Sequence, residues 1–138
     1  MNEPKKLIDT PSQTAGPFLH IGCAPRITGI NIFKIELGLT PFQDISDNEA
    51  INIKGKIYDG NDEPIIDAMI ETWQCDANGN YSSNQGFARI VTDFKTGEYQ
   101  LKTIRPGNKI NTDESLSASY ITFWIVARGM NLSLIHIW

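Results

Sequence analysis

Apolar and polar residues alternate in short stretches over the later part of the chain, from residue 49 onward. Ile51, Ile53 and Ile57 stand among polar residues at even spacings, which is the period of a half-buried β-strand. Apolar stretches rich in β-branched and aromatic residues predict further strands at residues 65–74, 87–92, 99–104, 120–127 and 132–138. Turn-forming Asn, Asp, Gly and Pro residues separate them. The pattern predicts an all-β protein, built as an antiparallel β-sandwich or barrel.

The preceding part of the chain shows no such period. Residues 10–18 consist largely of small residues and helix breakers, and proline and glycine recur up to about residue 47. We therefore expect an irregular N-terminal arm with loops over residues 1–48, followed by a β-sandwich core over residues 49–138.

Composition narrows the function classes. The chain has 138 residues, 41% of them hydrophobic, which fits one folded domain. Its net charge of −4, with no basic cluster, argues against nucleic acid as a partner. No apolar run is long enough to span a bilayer and no signal-peptide pattern opens the chain, so we expect no membrane partner and a cytoplasmic location. The two cysteines, Cys23 and Cys75, should then be reduced thiols.

Few residues offer catalytic or metal chemistry. The two histidines, His20 and His136, lie near opposite ends, and no HxH or HExxH motif is present, which argues against a self-contained transition-metal site. A packed, structural role is the favoured interpretation of His20. Arg128 follows an apolar strand and precedes a glycine, so it is either a solvated charge at a strand end or part of a site at the mouth of the sandwich.

Four motifs, in order along the chain, carry a resemblance. They are TPSQTAGPFLHIG at residues 10–22, IETWQCDANGNY at 70–81, TIRPG at 103–107 and ARGMN at 127–131. Together they resemble the α-type chains of the intradiol aromatic-ring dioxygenase family, with Phe18 where a tyrosine is common. The resemblance implies an antiparallel β-sandwich of the intradiol dioxygenase type.

In that family a β-type chain holds iron(III) with two tyrosines and two histidines. The resemblance places those four ligand positions here at Tyr81, Lys109, Tyr120 and Thr122. A protonated lysine has no lone pair, a threonine hydroxyl is a weak ligand, and no imidazole is left. We therefore expect no metal site in this chain, and Tyr81 is better interpreted as a packed aromatic residue.

The resemblance implies instead that this chain completes a pocket whose iron belongs to a β subunit. The residues that would form the wall of that pocket are Thr14, Gly16, Pro17, Phe18 and Arg128. Glycine and proline allow a close, fixed backbone approach to a planar ring, and arginine offers a permanent positive charge to a carboxylate. The implied substrates are protocatechuate and dioxygen, the implied product is 3-carboxy-cis,cis-muconate, and this chain alone should be inactive.

Two further expectations concern the chain end and the alternatives. Residues 135–138 do not fit the family pattern, so we expect a C-terminally truncated chain that aggregates when made alone.

A non-enzymatic β-sandwich interaction or transport module remains an alternative. A free-standing dioxygenase that uses its own ligands is disfavoured because the histidine pair is missing.

Overall fold

The computed structural model describes residue 16 and residues 18–32, 38–108, 115–128 and 130–137, the last range as backbone. The described strands are β1 (Ala50–Lys56), β2 (Met69–Trp73), β3 (Phe87–Val91), β4 (Glu98–Ile104), β5 (Ile121–Ala127) and β6 (Met130–Ile137). Before them lie a single helical turn, α1 (Leu19–Cys23), and a 3₁₀ turn at Pro25–Thr28. The described part of the arm therefore contains a short helix and a 3₁₀ turn that the sequence pattern did not predict.

The strands form two antiparallel sheets. One consists of β1 and β4, and the other has the order β3-β2-β5-β6. The predicted all-β antiparallel fold is confirmed. The strand predicted at residues 65–74 is shorter than expected, because residues 66 and 67 lie in a turn and β2 begins only at Met69. The division of the chain between residues 48 and 49 stays a prediction. Among the described residues, no helix is long and apolar enough to cross a bilayer.

The core lies between the two sheets. Ile70 of β2, Leu101 of β4 and Phe123 of β5 are fully buried, and the ring of Phe123 lies 6.3 Å from that of Tyr99 across the interface. Each burial of a side chain this large contributes about 1.5–3 kcal/mol to folding. The alternation in β1, which leaves Ile51 and Ile53 half-buried, places its isoleucines on the same inner side. These contacts make the four-stranded sheet a fixed platform for the residues at its two ends.

A loop covers the outer edge of β3. Arg89 N donates to Gly38 O, and Gly86 N donates to Pro41 O. An unpaired strand edge invites association with other chains, and these bonds satisfy part of that edge within the molecule.

A buried polar link joins the two sheets. The Thr103 hydroxyl of β4 donates to Gln74 Oε1 at 2.7 Å, and Gln74 Nε2 donates to the Ile104 carbonyl at 3.0 Å. Both side chains are buried. Buried polar groups are favourable only when they are paired, so this pair fixes how β2 meets β4.

Thr103→Val should lower the free energy of unfolding by about 2 kcal/mol, because it leaves the buried Gln74 Oε1 without its donor. The matched control is Thr72→Val. The Thr72 hydroxyl is equally buried and has no hydrogen-bond partner among the described residues, so valine there should leave stability unchanged or raise it by up to about 1 kcal/mol. Urea denaturation of both variants tests the link. Equal destabilisation by the two variants would contradict it.

Candidate functional site

The predicted site residues divide between the two ends of the four-stranded sheet. Tyr120 immediately precedes β5, and Arg128 immediately follows it. A seven-residue strand separates its two ends by roughly 20 Å. The ligand-equivalent positions and Arg128 therefore cannot act on one small molecule within a single copy of this chain.

At the first end, the two tyrosines are hydrogen-bonded. The hydroxyl oxygens of Tyr81 and Tyr120 lie 3.0 Å apart. The ring of Trp73 stacks on that of Tyr81 with centroids 6.3 Å apart, and Trp73 pairs with Thr122 across the β2–β5 ladder. Three of the four ligand-equivalent positions thus gather at one place, while Lys109 lies outside the described residues.

The chemistry of this cluster does not fit a ferric ion. Burial, followed by the hydrogen bond with Tyr120, raises the pKa of the Tyr81 phenol well above its usual value of 10.0. A metal ion can displace the proton of a coordinating phenol, so the misfit lies in the donor set. The described ligand-equivalent positions offer two phenols and the weak Thr122 hydroxyl, and none of them is a histidine. No group of three or more His, Cys, Asp or Glu side chains among the described residues could replace it. We assign no reaction step to a metal at this end.

Tyr81 should titrate late among the four tyrosines. In an absorbance titration at 295 nm, Tyr81→Phe should remove amplitude from the most alkaline part of the curve. The folded pKa lies above the unfolded value near 10, so the contribution of this phenol to stability is complete below about pH 10 and is lost as the pH rises further. Loss of amplitude near pH 10 instead would show that Tyr81 is an ordinary exposed phenol.

At the opposite end, Arg128 lies in a tight connection. The β5–β6 ladder pairs Ala127 with Met130, so only Arg128 and residue 129 join the two strands. Arg128 Nε donates to Asp67 Oδ2 at 2.7 Å. The side chain of Arg128 is 67% exposed, whereas that of Asp67 is 20% exposed. The guanidinium is therefore held at its base and faces solvent, and its predicted role in substrate binding stays a prediction.

The arm reaches the same end of the sheet as Arg128. His20 is buried and its ring lies edge-on to Phe94, with centroids 5.6 Å apart. Phe94 follows the end of β3 by three residues. Between them, Thr92 N donates to the carbonyl of Ala68, and Ala68 is the neighbour of Asp67 in the chain. The ends of β3 and β5 are separated by two strand spacings, or about 10 Å. His20 has a packed position, in agreement with its predicted structural role.

The wall residues of the arm are only partly described. Gly16 is exposed, and Phe18 is 75% exposed. Thr14 and Pro17 lie outside the described residues. An aromatic ring this exposed in a folded chain has its apolar surface available to a ligand or a partner. The roles of these residues in substrate binding stay predictions.

Arg89 joins the arm to the sheet, a role that the sequence analysis missed. Its Nε donates to Glu71 Oε1 at 2.8 Å, and its Nη1 donates to the Cys23 carbonyl at 3.2 Å. A cavity of about 310 Å³ lies beside this contact, between residues 22–31 and β3. The Arg89 bond is therefore a point at which the described part of the arm is held to the sheet.

Comparison with solved structures gives the fold class. The 3-chlorocatechol 1,2-dioxygenase of Rhodococcus opacus superimposes with a TM-score of 0.64 at 19% identity, over 72% of this chain and 47% of that one. The catechol 1,2-dioxygenase of Pseudomonas arvilla superimposes with a TM-score of 0.63 at 19% identity, over 71% of this chain and 38% of that one. At this level of identity the likeness establishes a shared fold.

Comparison of sequences gives the family. The dioxygenase family model matches residues 36–124. The α chain of protocatechuate 3,4-dioxygenase from Pseudomonas putida is 36% identical over 135 residues, and that from Burkholderia cepacia is 30% identical over 134 residues. The matches cover 93% and 90% of this chain, and 67% and 66% of the two relatives, so the chain spans about two thirds of their length. The chain therefore belongs to the dioxygenase family, among the relatives of the protocatechuate 3,4-dioxygenase α chains.

Proposed function

We propose that this chain is the α subunit of a protocatechuate 3,4-dioxygenase and completes the active-site pocket of an iron(III)-bearing β subunit. The observation that carries the proposal is the separation of the two ends of the sheet. One end holds a hydrogen-bonded phenol pair unsuited to iron, and the other presents an exposed, anchored arginine close to the arm. The kinship with two α chains supports the same role.

The roles of this chain and of its partner follow from the residues that each would contribute. Iron(III), which the partner chain would hold, would supply the chemistry that prepares the catechol ring for cleavage by dioxygen. Arg128 would bind the ring carboxylate, since a guanidinium offers a permanent charge and two N–H groups in the geometry of a carboxylate. Gly16, Phe18 and the neighbouring Thr14 and Pro17 would form the wall beside the ring. The product would be 3-carboxy-cis,cis-muconate, and we place the reaction in the cytoplasm.

Co-expression tests the proposal. The chain should copurify with an iron-bearing β-type partner, and the complex should consume dioxygen and protocatechuate together. The partner alone, purified in parallel, should bind protocatechuate more weakly, because its pocket lacks one wall. A partner with the same turnover and KM in the absence of this chain would contradict the proposal and favour a non-enzymatic interaction module.

A further inference from the structure

We propose that Asp67 is the positioning residue that holds Arg128 in the orientation needed to bind a carboxylate on the substrate ring; this inference rests on the proposed function. The ladder between β2 and β5 pairs Met69 with Val126. Asp67 stands two residues before Met69, in the turn that precedes β2, and Arg128 stands two residues after Val126, so both lie at the same end of the ladder. Their side chains meet there, with Arg128 Nε 2.7 Å from Asp67 Oδ2.

The side chains of Asp67 and Arg128 differ in how firmly the fold holds them. Asp67 is mostly buried and lies next to the fully buried Ala68, whereas Arg128 is mostly exposed on a two-residue connection. A long exposed side chain loses considerable rotamer freedom when it binds a ligand. Asp67 restricts that freedom before the substrate arrives, so less is lost on binding.

The geometry of the bond leaves the guanidinium suited to a second carboxylate. Asp67 contacts the Nε atom, on one side of the planar group. The two Nη atoms form a separate edge, which matches the two oxygens of a carboxylate. This edge therefore suits a carboxylate, which the proposed function places on the substrate ring, and a catechol without a carboxylate gains nothing from the arrangement.

The test compares Asp67→Asn with Asp47→Asn in the assembled complex with the iron-bearing partner. Asp47 forms an exposed ion pair with Lys102 on the other sheet and is the matched control. We expect Asp67→Asn to raise the KM for protocatechuate about fivefold, with kcat and the iron absorption unchanged. The KM for unsubstituted catechol should not change. Asp47→Asn should behave as wild type with both substrates.

Two further variants separate positioning from general damage. Arg128→Ala should raise the KM for protocatechuate about tenfold or more, and adding Asp67→Asn to it should produce no further change, since Asp67 acts only through Arg128. Asp67→Glu keeps the carboxylate and should recover part of the lost affinity. Additive effects of the two substitutions would overturn the inference.

The remaining outcomes are also decisive. A carboxylate-specific loss in Arg128→Ala with wild-type behaviour in Asp67→Asn would overturn the role of Asp67 and leave the proposed function standing. A lower KM in Asp67→Asn would show that Asp67 competes with the substrate for Arg128. A wild-type complex without ring-opening activity would refute the proposed function, and this inference with it.

Discussion

Gly86→Ala should lower the free energy of unfolding by about 3 kcal/mol or more, a large share of the roughly 5–15 kcal/mol by which a domain is stable. Gly86 has a φ of +92°, and a Cβ atom added there would lie 2.2 Å from the carbonyl oxygen of Gln74. The backbone cannot yield easily, because Gln74 N donates to Gly86 O and Gly86 N donates to Pro41 O. Far-UV circular dichroism and urea denaturation would measure the loss.

The matched control is Gly60→Ala. An added Cβ at Gly60 meets no heavy atom within 4 Å, so this substitution should change stability by no more than about 0.5 kcal/mol. Equal stability of the two variants would show that the close approach between Gly86 and Gln74 does not exist in solution.

Arg89→Leu should lower the free energy of unfolding by about 2 kcal/mol or more and loosen the arm. The substitution leaves the carboxylate of Glu71, only 16% exposed, without its cation and removes the bond to the Cys23 carbonyl. Denaturation measures the first effect. Limited trypsin cleavage after Arg26, which is exposed in the arm, measures the second and should become faster.

Lys102→Leu is the control for Arg89→Leu. It removes an exposed ion pair with Asp47, whose side chain is 94% exposed, so stability should change by less than about 0.5 kcal/mol and cleavage after Arg26 should keep its rate. If Arg89→Leu left the rate of cleavage unchanged, the arm would be held by other contacts.

The turn that begins at Asp76 shows how the local sequence determines part of the fold. Asp76 accepts hydrogen bonds from the backbone of Asn78 and Asn80, and the bond from Asn80 is the largest cause of the lowered pKa of its carboxyl. The spacing of these residues indicates a turn from sequence alone, since aspartate bonds the backbone a few residues ahead. The alternation around Ile51 and Ile53 likewise predicted β1 before any pairing was known.

The candidate site was less predictable, because its contacts depend on which strands are neighbours. Asp67 and Arg128 are far apart in sequence, and only the register of β2 on β5 brings them together. The bond from Arg89 to the Cys23 carbonyl involves a backbone atom, which carries no sequence signature. The resemblance to a family identified Arg128 and the phenol pair, but not the residues that hold Arg128 and the arm.

Ferric ion titration of the isolated chain and of its complex with the β-type partner tests the central claim most directly. The complex should bind stoichiometric ferric ion and show tyrosinate-to-iron(III) absorption in the visible range. That absorption should persist in full when this chain carries Tyr81→Phe and Tyr120→Phe. The isolated chain should stay colourless. Stoichiometric ferric ion in the isolated chain, lost when Tyr81 and Tyr120 are replaced, would contradict the account.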